Sequence, residues 1–164
     1  MSNDLIIRPA DPSDVPLILS FIRELSEYEK LAHEVVATEA ELGKWLFGER
    51  PAARVLIAEY RREPAGFALY FLNFSTFLAR PGIFLEDLFV RPAVRARGIG
   101  KALLKELVRT AAREGYGRVE WAVLDWNTPA VEFYRSLGAQ PMSDWTIFRL
   151  NSAAIYSLAK DEKN

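Results

Sequence analysis

Gly82-Ile83-Phe84-Leu85-Glu86-Asp87-Leu88-Phe89-Val90, then Arg95-Ala96-Arg97-Gly98-Ile99-Gly100-Lys101, then Ala102-Leu103-Leu104-Lys105-Glu106-Leu107-Val108 is the stretch that decides how this chain folds. The first part reads as an apolar strand interrupted by two adjacent carboxylates, the second as a basic glycine-rich turn, the third as an amphipathic helix. Strand, turn and helix in that order predict a phosphate cradle. Free backbone N–H groups and the positive end of the helix dipole face an anion there, and glycine lets it approach the main chain. A nucleotide-hydrolysing P-loop would place glycine five residues before Gly100 and Ser or Thr after Lys101; Arg95 and Ala102 stand there instead. A dinucleotide fingerprint would need a third glycine where Leu103 stands.

The remaining composition narrows the class. A length of 164 residues predicts one domain, 1–164, able to build a core without staples. Half the residues are apolar and 12% aromatic, which excludes global disorder. A net charge of −1 gives no electrostatic case for nucleic acid or an anionic membrane. With no cysteine and one histidine, the sequence predicts no disulfides, no thiolate or multi-histidine metal site and no cysteine nucleophile. His33 reads as a surface loop residue. Met1-Ser2-Asn3-Asp4 does not read as a signal peptide, and no 18-residue apolar run suggests a membrane span. The expectation is a soluble, cytoplasmic protein.

Around the central stretch, Leu5-Ile6-Ile7-Arg8 reads as a first strand. Ser13 is the expected N-cap of a helix that carries Leu17, Ile18, Phe21, Ile22, Leu25 and Tyr28 to about Lys30. Thr38 and Glu41 form a capping box opening a second helix that Gly48 breaks. Val55–Tyr60, Ala65 to about Phe74, and Ile83–Val90 read as a meander, the middle strand apolar enough to be covered on both faces. The helix after the glycine turn is expected to bury Leu103, Leu104, Leu107, Val108 and Ala111 and to stop at Gly115. Val119–Leu124 returns as strand. Thr128 caps, and Pro129 opens, a helix ending at Gly138. Thr146–Leu150 is expected as a last strand, and Asn151 caps a terminal helix. The fold class is α/β (α+β), with a mixed, mostly antiparallel central sheet flanked by helices.

The arrangement R-x-x-G-x-G at Arg95–Gly100 resembles the acyl-CoA pyrophosphate loop of the GCN5-related N-acetyltransferase (GNAT) superfamily. The resemblance extends over nearly the whole chain. Ile22-Arg23-Glu24-Leu25 with Tyr28-Glu29, Leu85 to Val90, Arg97 to Gly100, Trp126-Asn127-Thr128-Pro129 and Phe133-Tyr134 are similar to the diamine, polyamine and thialysine N-acetyltransferase branch. It implies an enzyme that transfers acetyl from acetyl-CoA to a small aliphatic amine, needs no metal, and forms a homodimer through its C-terminal strands. It further implies that backbone groups of Leu88, Phe89 and Val90 hold the pantetheine arm. Arg95, Ala96, Arg97, Gly98, Ile99, Gly100 and Lys101 would hold the pyrophosphate, with Asn127, Thr128, Pro129 and Ala130 as the other wall.

The chemistry requires a held thioester, a deprotonated amine and a proton for the departing thiolate. By resemblance Tyr134 is the general acid; a phenol near pKa ~10 is protonated at neutral pH and can donate at once. Glu86 and Asp87, adjacent on a strand, are expected on opposite faces, and two carboxylates in an apolar strand are costly unless paired, hydrated or functional. The resemblance makes Glu86 a substrate contact and base acting through water, since an alkylammonium of pKa ~10.4 must lose its proton before attack. It also places Tyr28, Glu29, Asp87, Glu120, Trp121, Ala122 and Asp144 at the amine. Trp121 or Trp126 either offers a cation–π face or packs in the core.

One departure bears on the acceptor. Dedicated polyamine acetyltransferases carry an Asp and a Trp in the loop before the Glu-Asp strand. Here Asn73-Phe74-Ser75-Thr76-Phe77-Leu78-Ala79-Arg80 has no acid and adds a cation. A diamino acid such as thialysine suits Arg80 better than a polycation. Acetylation of a protein lysine or N-terminus, and a non-catalytic acyl-CoA sensor on the same fold, stand as alternatives.

Overall fold

The strand-rich middle of the chain owes its order to continuous apolar runs. Val55–Ala58 and Ala65–Ala68 are buried residue after residue, as strands covered on both faces should be. In this computed structural model, which describes residues 4–160, they belong to β2 (Arg54–Tyr60) and β3 (Glu63–Ser75). Met1, Ser2 and Asn3 of the N-terminal segment lie outside the described residues. With β1 (Leu5–Pro9), β4 (Arg80–Val90) and β5 (Val119–Trp121) they form a five-stranded sheet in the order β1-β2-β3-β4-β5. All pairs are antiparallel except β4 with β5, so the sheet is mixed and mostly antiparallel, as expected. The second half of β3 is less covered than its composition suggested: Leu72 and Phe74 are exposed.

The helices are α1 (Val15–Tyr28), α2 (Glu39–Phe47), α3 (Ile99–Glu114), α4 (Thr128–Ser136) and α5 (Ser152–Lys160). The chain falls into two compact units, one through Ala122 and one from Val123. The first holds the sheet and α1–α3; the second holds α4 and α5.

In the first unit the core forms where α1 meets the sheet. Phe21 stacks on Phe67 with ring centroids 5.4 Å apart and sits tilted over Phe89 at 6.2 Å. Ile18, Val55 and Ile57 complete that cluster. α3 packs along β4 and β3, burying Ile99, Leu103, Leu104, Leu107 and Ala111. Val108, expected inside, is exposed; it lies about 100° round the helix from Leu107 and falls off the apolar stripe. Gly66 permits the closest approach of β3 to β4, for a Cβ there would lie 2.3 Å from the Phe89 carbonyl oxygen.

Two arginines fasten the helical layer. Arg8 donates to both Asp14 oxygens and to Glu59, which holds the Asp14 carboxyl below its usual range. Arg91, just past β4, grips the Glu24 carboxylate of α1 with Nη2 at 2.8 Å and Nε at 3.0 Å, donates to the Pro64 carbonyl, and lies 4.8 Å over the Phe21 ring. This fork fixes the end of α1 against the end of β4, and it lowers the Glu24 pKa.

Local departures from expectation have local causes. Asp11, not Ser13, is the N-terminal cap: its carboxylate accepts from Ser13 N–H while Asp14 accepts from Asp11 N–H, so a single 3₁₀ turn precedes α1. α1 ends at Tyr28, and Lys30 takes a left-handed φ of 61°. Thr38 caps α2 as predicted, but the Glu41 carboxylate accepts from Trp45 Nε1. β5 is shorter than the expected Val119–Leu124. In the second unit Asn127 rather than Thr128 caps α4, its Oδ1 accepting from Ala130 N–H. Asn151 caps α5 as expected. Thr146–Leu150 is not a strand: it has no ladder partner among the described residues, and Ile147, Phe148 and Leu150 are exposed.

Replacing Arg91 with Met is expected to lower the free energy of unfolding by about 2 kcal/mol, because Glu24 is left half-buried without its partner. Urea denaturation reads this directly. An unchanged midpoint would show that the fork adds nothing to stability.

Candidate active site

The site begins where the sheet fails to continue. β5 pairs with Ile83, Phe84 and Leu85 of β4 and stops at Leu85 opposite Trp121. On the other edge the β3 register jumps from Leu69 opposite Asp87 to Tyr70 opposite Leu85, leaving Glu86 as the extra residue of a β-bulge. Glu86–Val90 therefore have a strand on one edge only among the described residues. The main-chain groups of Leu88, Phe89 and Val90 lie along that half-paired segment. The bulge also interrupts the strict alternation from which opposite faces were expected for Glu86 and Asp87. Glu86 is exposed and Asp87 half-buried.

Three carboxylates share this spot. Burial first, and then the charges of Glu86 and Glu29, push the Asp87 carboxyl up to about 7. Glu29, the C-terminal cap of α1, is itself raised by burial. None of the three makes a hydrogen bond or ion pair with a basic side chain among the described residues. A partly dehydrated acidic spot of this kind favours a cation or a proton. The described residues contain no group of three or more His, Cys, Asp or Glu side chains arranged to hold a metal ion. Arg80 opens β4 six residues before Glu86, roughly 20 Å away along the strand, and is not part of the cluster.

The glycine-rich turn follows. Ala96 and Gly98 take left-handed φ of 60° and 78°, and α3 starts without a side-chain cap. Its first helical bond runs from Ala102 N–H to the Gly98 carbonyl, so the preceding N–H groups of the first turn lack intrahelical acceptors. A Cβ on Gly100 would meet only Val90 Cγ2, at 3.7 Å, so the space over that turn is open. Arg95, Arg97 and Lys101 are exposed around it, while the Ile99 side chain is buried and leaves only its main chain to a ligand. Free N–H groups, three cations and an open approach suit the pyrophosphate of an acyl-CoA.

Arg95 does more than line the turn. Its Nε–H donates to the Val90 carbonyl at 2.9 Å, and its guanidinium lies 4.6 Å over the Tyr28 ring and 5.8 Å from that of Phe89. Arg97 lies 5.4 Å over Tyr60.

The other predicted positions distribute as follows. Glu120 is occupied: it pairs with Arg118 Nε at 2.8 Å and accepts from Asn73 Nδ2 at 2.8 Å. Trp121 ends β5 and Ala122 follows it, exposed. In the second unit, Asn127 is the cap of α4, Thr128, Pro129 and Ala130 form its first turn, and Tyr134 lies next to Phe133 with ring centroids 5.3 Å apart. Asp144 is exposed in a turn.

Sequence reasoning gave no role to the Glu24–Arg91 fork or to the stacking of Arg95 on Tyr28. A signal existed for the first. Leu17, Phe21, Glu24 and Tyr28 recur on one helical stripe, and a carboxylate on an apolar stripe requires a cation.

A mixed sheet whose bulged, half-paired β4 runs into a basic glycine-rich turn is the frame of this site. Residues 20–139 match the Acetyltransferase (GNAT) family. The chain is similar to a thialysine N-epsilon-acetyltransferase of Bos taurus, 38% identical over 94% of this chain and 97% of that one. It is likewise similar to an L-ornithine N5-acetyltransferase of Arabidopsis thaliana, 34% identical over 94% of this chain and 87% of that one. Among solved structures, an integron cassette protein from the mobile metagenome of V. cholerae superimposes with a TM-score of 0.81 at 27% identity, covering 98% of this chain and all of the other. The chain belongs to the GNAT acetyltransferase family and is an enzyme that transfers acetyl to an amine. Members of that family use acetyl-CoA as co-substrate. No helix among the described residues is long and apolar enough to cross a membrane.

The raised Asp87 pKa has a stability consequence. Between the ordinary carboxylate range and about pH 7 the unfolded chain has lost this proton while the folded chain keeps it, so Asp87 makes stability fall as pH rises through that window. Asp87→Asn should therefore gain stability over the parent chain from pH 4 to pH 7, with a constant difference above that. Urea titrations at pH 4, 5.5 and 8 measure it; a pH-independent difference would rule out the shift.

Proposed function

We propose that the acceptor is the primary amine of a small aliphatic diamine, polyamine or diamino acid, with a diamino acid such as thialysine or L-ornithine favoured. The observation that carries this reading is the unpaired acidic cluster of Glu29, Glu86 and Asp87 at the bulge, which suits a compact substrate bearing ammonium groups. Two similar proteins, the thialysine and L-ornithine acetyltransferases, take diamino acids by name. The absence of an acid in the Asn73–Arg80 loop counts against a long polycation.

In this reading acetyl-CoA lies along Leu88, Phe89 and Val90, with its pyrophosphate at Arg95–Lys101 and Asn127, Thr128, Pro129 and Ala130 on the other side. Tyr28, Glu29 and Asp87 receive the amine, bordered by Glu120, Trp121, Ala122 and Asp144. Glu86 takes the ammonium proton through a water molecule. The free amine nitrogen attacks the thioester carbonyl, the C–S bond of the tetrahedral adduct breaks to expel CoA thiolate, the Tyr134 phenol protonates that sulfur, and the proton shed by the new amide nitrogen restores the phenol. The protein works as a homodimer; the exposed apolar residues Trp145, Ile147, Phe148 and Leu150 support a second copy covering them.

CoA release from acetyl-CoA should be measured against L-ornithine, thialysine, short diamines, spermidine and a lysine peptide. Turnover with diamino acids and little with spermidine is expected. Tight acetyl-CoA binding with no turnover on any small amine would overturn the reading in favour of a sensor, and preference for the peptide in favour of a protein acetyltransferase. Tyr134→Phe should lower kcat by about 100-fold or more with CoA affinity retained. Sedimentation should give a dimer, and Phe148→Asp should shift it toward monomer; a monomeric parent chain would sink the assembly proposal.

A further inference from the structure

Two contacts of Arg95 carry an inference that rests on the reading above. Arg95 lies between the two substrates' positions. On the donor side its Nε–H occupies the Val90 carbonyl, on the half-paired segment assigned to the pantetheine arm. On the acceptor side its guanidinium covers the Tyr28 ring at 4.6 Å, one residue before Glu29, whose charge Asp87 feels. A substrate ammonium drawn to that acidic spot would seek the same ring face, and two cations cannot share it.

We infer that Arg95 is an internal competitor of the cationic acceptor. Without donor, its guanidinium holds the Tyr28 ring face and the Val90 carbonyl. The arm and pyrophosphate of acetyl-CoA draw it off both, so donor binding opens the acceptor position. The exchange is favoured because the present contacts are with a neutral carbonyl and an exposed ring, whereas a pyrophosphate offers charge-assisted, bidentate bonds. Arg95 is therefore a positioning residue whose effect on the amine is separate from its hold on CoA.

Titration calorimetry on the intact chain tests this, with CoA as the donor-site probe and L-ornithine as the amine. The parent chain should bind L-ornithine at least about fivefold more tightly when saturated with CoA. Arg95→Met without CoA should already bind it in the CoA-loaded range, with the further gain on adding CoA below about twofold. Tyr28→Leu, which removes the ring that retains Arg95, should bind CoA about twofold more tightly than the parent chain. A merely structural Arg95 would move neither the CoA-free amine affinity of Arg95→Met nor the CoA affinity of Tyr28→Leu in these directions. CoA binding with unchanged amine affinity in the parent chain, or Arg95→Met binding the amine no better than the parent without CoA, overturns the competitor role alone. Failure of the parent chain to bind CoA at all overturns the acyl-CoA reading and the inference together.

Discussion

Every backbone N–H and C=O inside a sheet needs a partner, and at Glu86 this sheet stops supplying them on one side of β4. Much of the molecule's chemistry depends on that interruption. β5 can pair only through Leu85, and the bulge at Glu86 bends β4 at the same point. An edge of this kind is a liability in most proteins because any passing strand can complete it. Here it is short and runs straight into a basic turn, and Arg95 satisfies its last carbonyl. An amide-bearing pantetheine arm is chemically a piece of strand, and in the proposed reading it is what completes this edge.

Charge is distributed to match. The chain as a whole is nearly neutral, at −1, yet it concentrates Glu29, Glu86 and Asp87 at the bulge and Arg95, Arg97 and Lys101 a few residues later. Among the described residues those acids have no basic partner, while Asp14 and Glu24 are each held by an arginine fork. Pairing lowers the pKa of the structural acids, and crowding with burial raises that of Asp87. The two sets are therefore told apart by environment rather than residue type: one holds α1 in place, the other keeps an affinity for a cation that the fold does not satisfy.

The fold was legible because its signals are local and periodic. Runs such as Val55–Ala58, the glycine stop at Gly115 and the helical stripe from Leu17 to Tyr28 need no tertiary information to read. The glycine turn was legible as a strand-to-helix connection for the same reason. What escaped was whatever depends on register or on distant partners. The strand at Leu85–Val90 could be read, but the bulge at Glu86 follows from how β3 and β4 align, and no spacing in either strand encodes it. Val108 looked buried because it is apolar, and only its angle on α3 excludes it. Thr146–Leu150 has the composition of a strand; composition cannot supply the neighbour that a strand requires. That Glu120 accepts a hydrogen bond from Asn73 likewise depends on a neighbour distant in sequence.

The Glu24–Arg91 fork connects these levels. By locking the end of α1 to the end of β4 it fixes Tyr28 and Glu29, one helical turn beyond Glu24, relative to the bulge. Arg95 can stack on Tyr28 while bonding to Val90 only because those two ends are held in register. As a stabilising interaction the half-exposed fork is worth about 2 kcal/mol, between an exposed and a buried ion pair. Its larger consequence is positional. The acidic group on α1 and the open edge of β4 come from segments far apart in sequence, and the fork makes their separation a property of the fold rather than of side-chain chance. Acyl transfer is sensitive to such positioning, since a displaced nucleophile loses the advantage of being held next to its electrophile. An ion pair outside the proposed substrate contacts thereby sets the geometry between them.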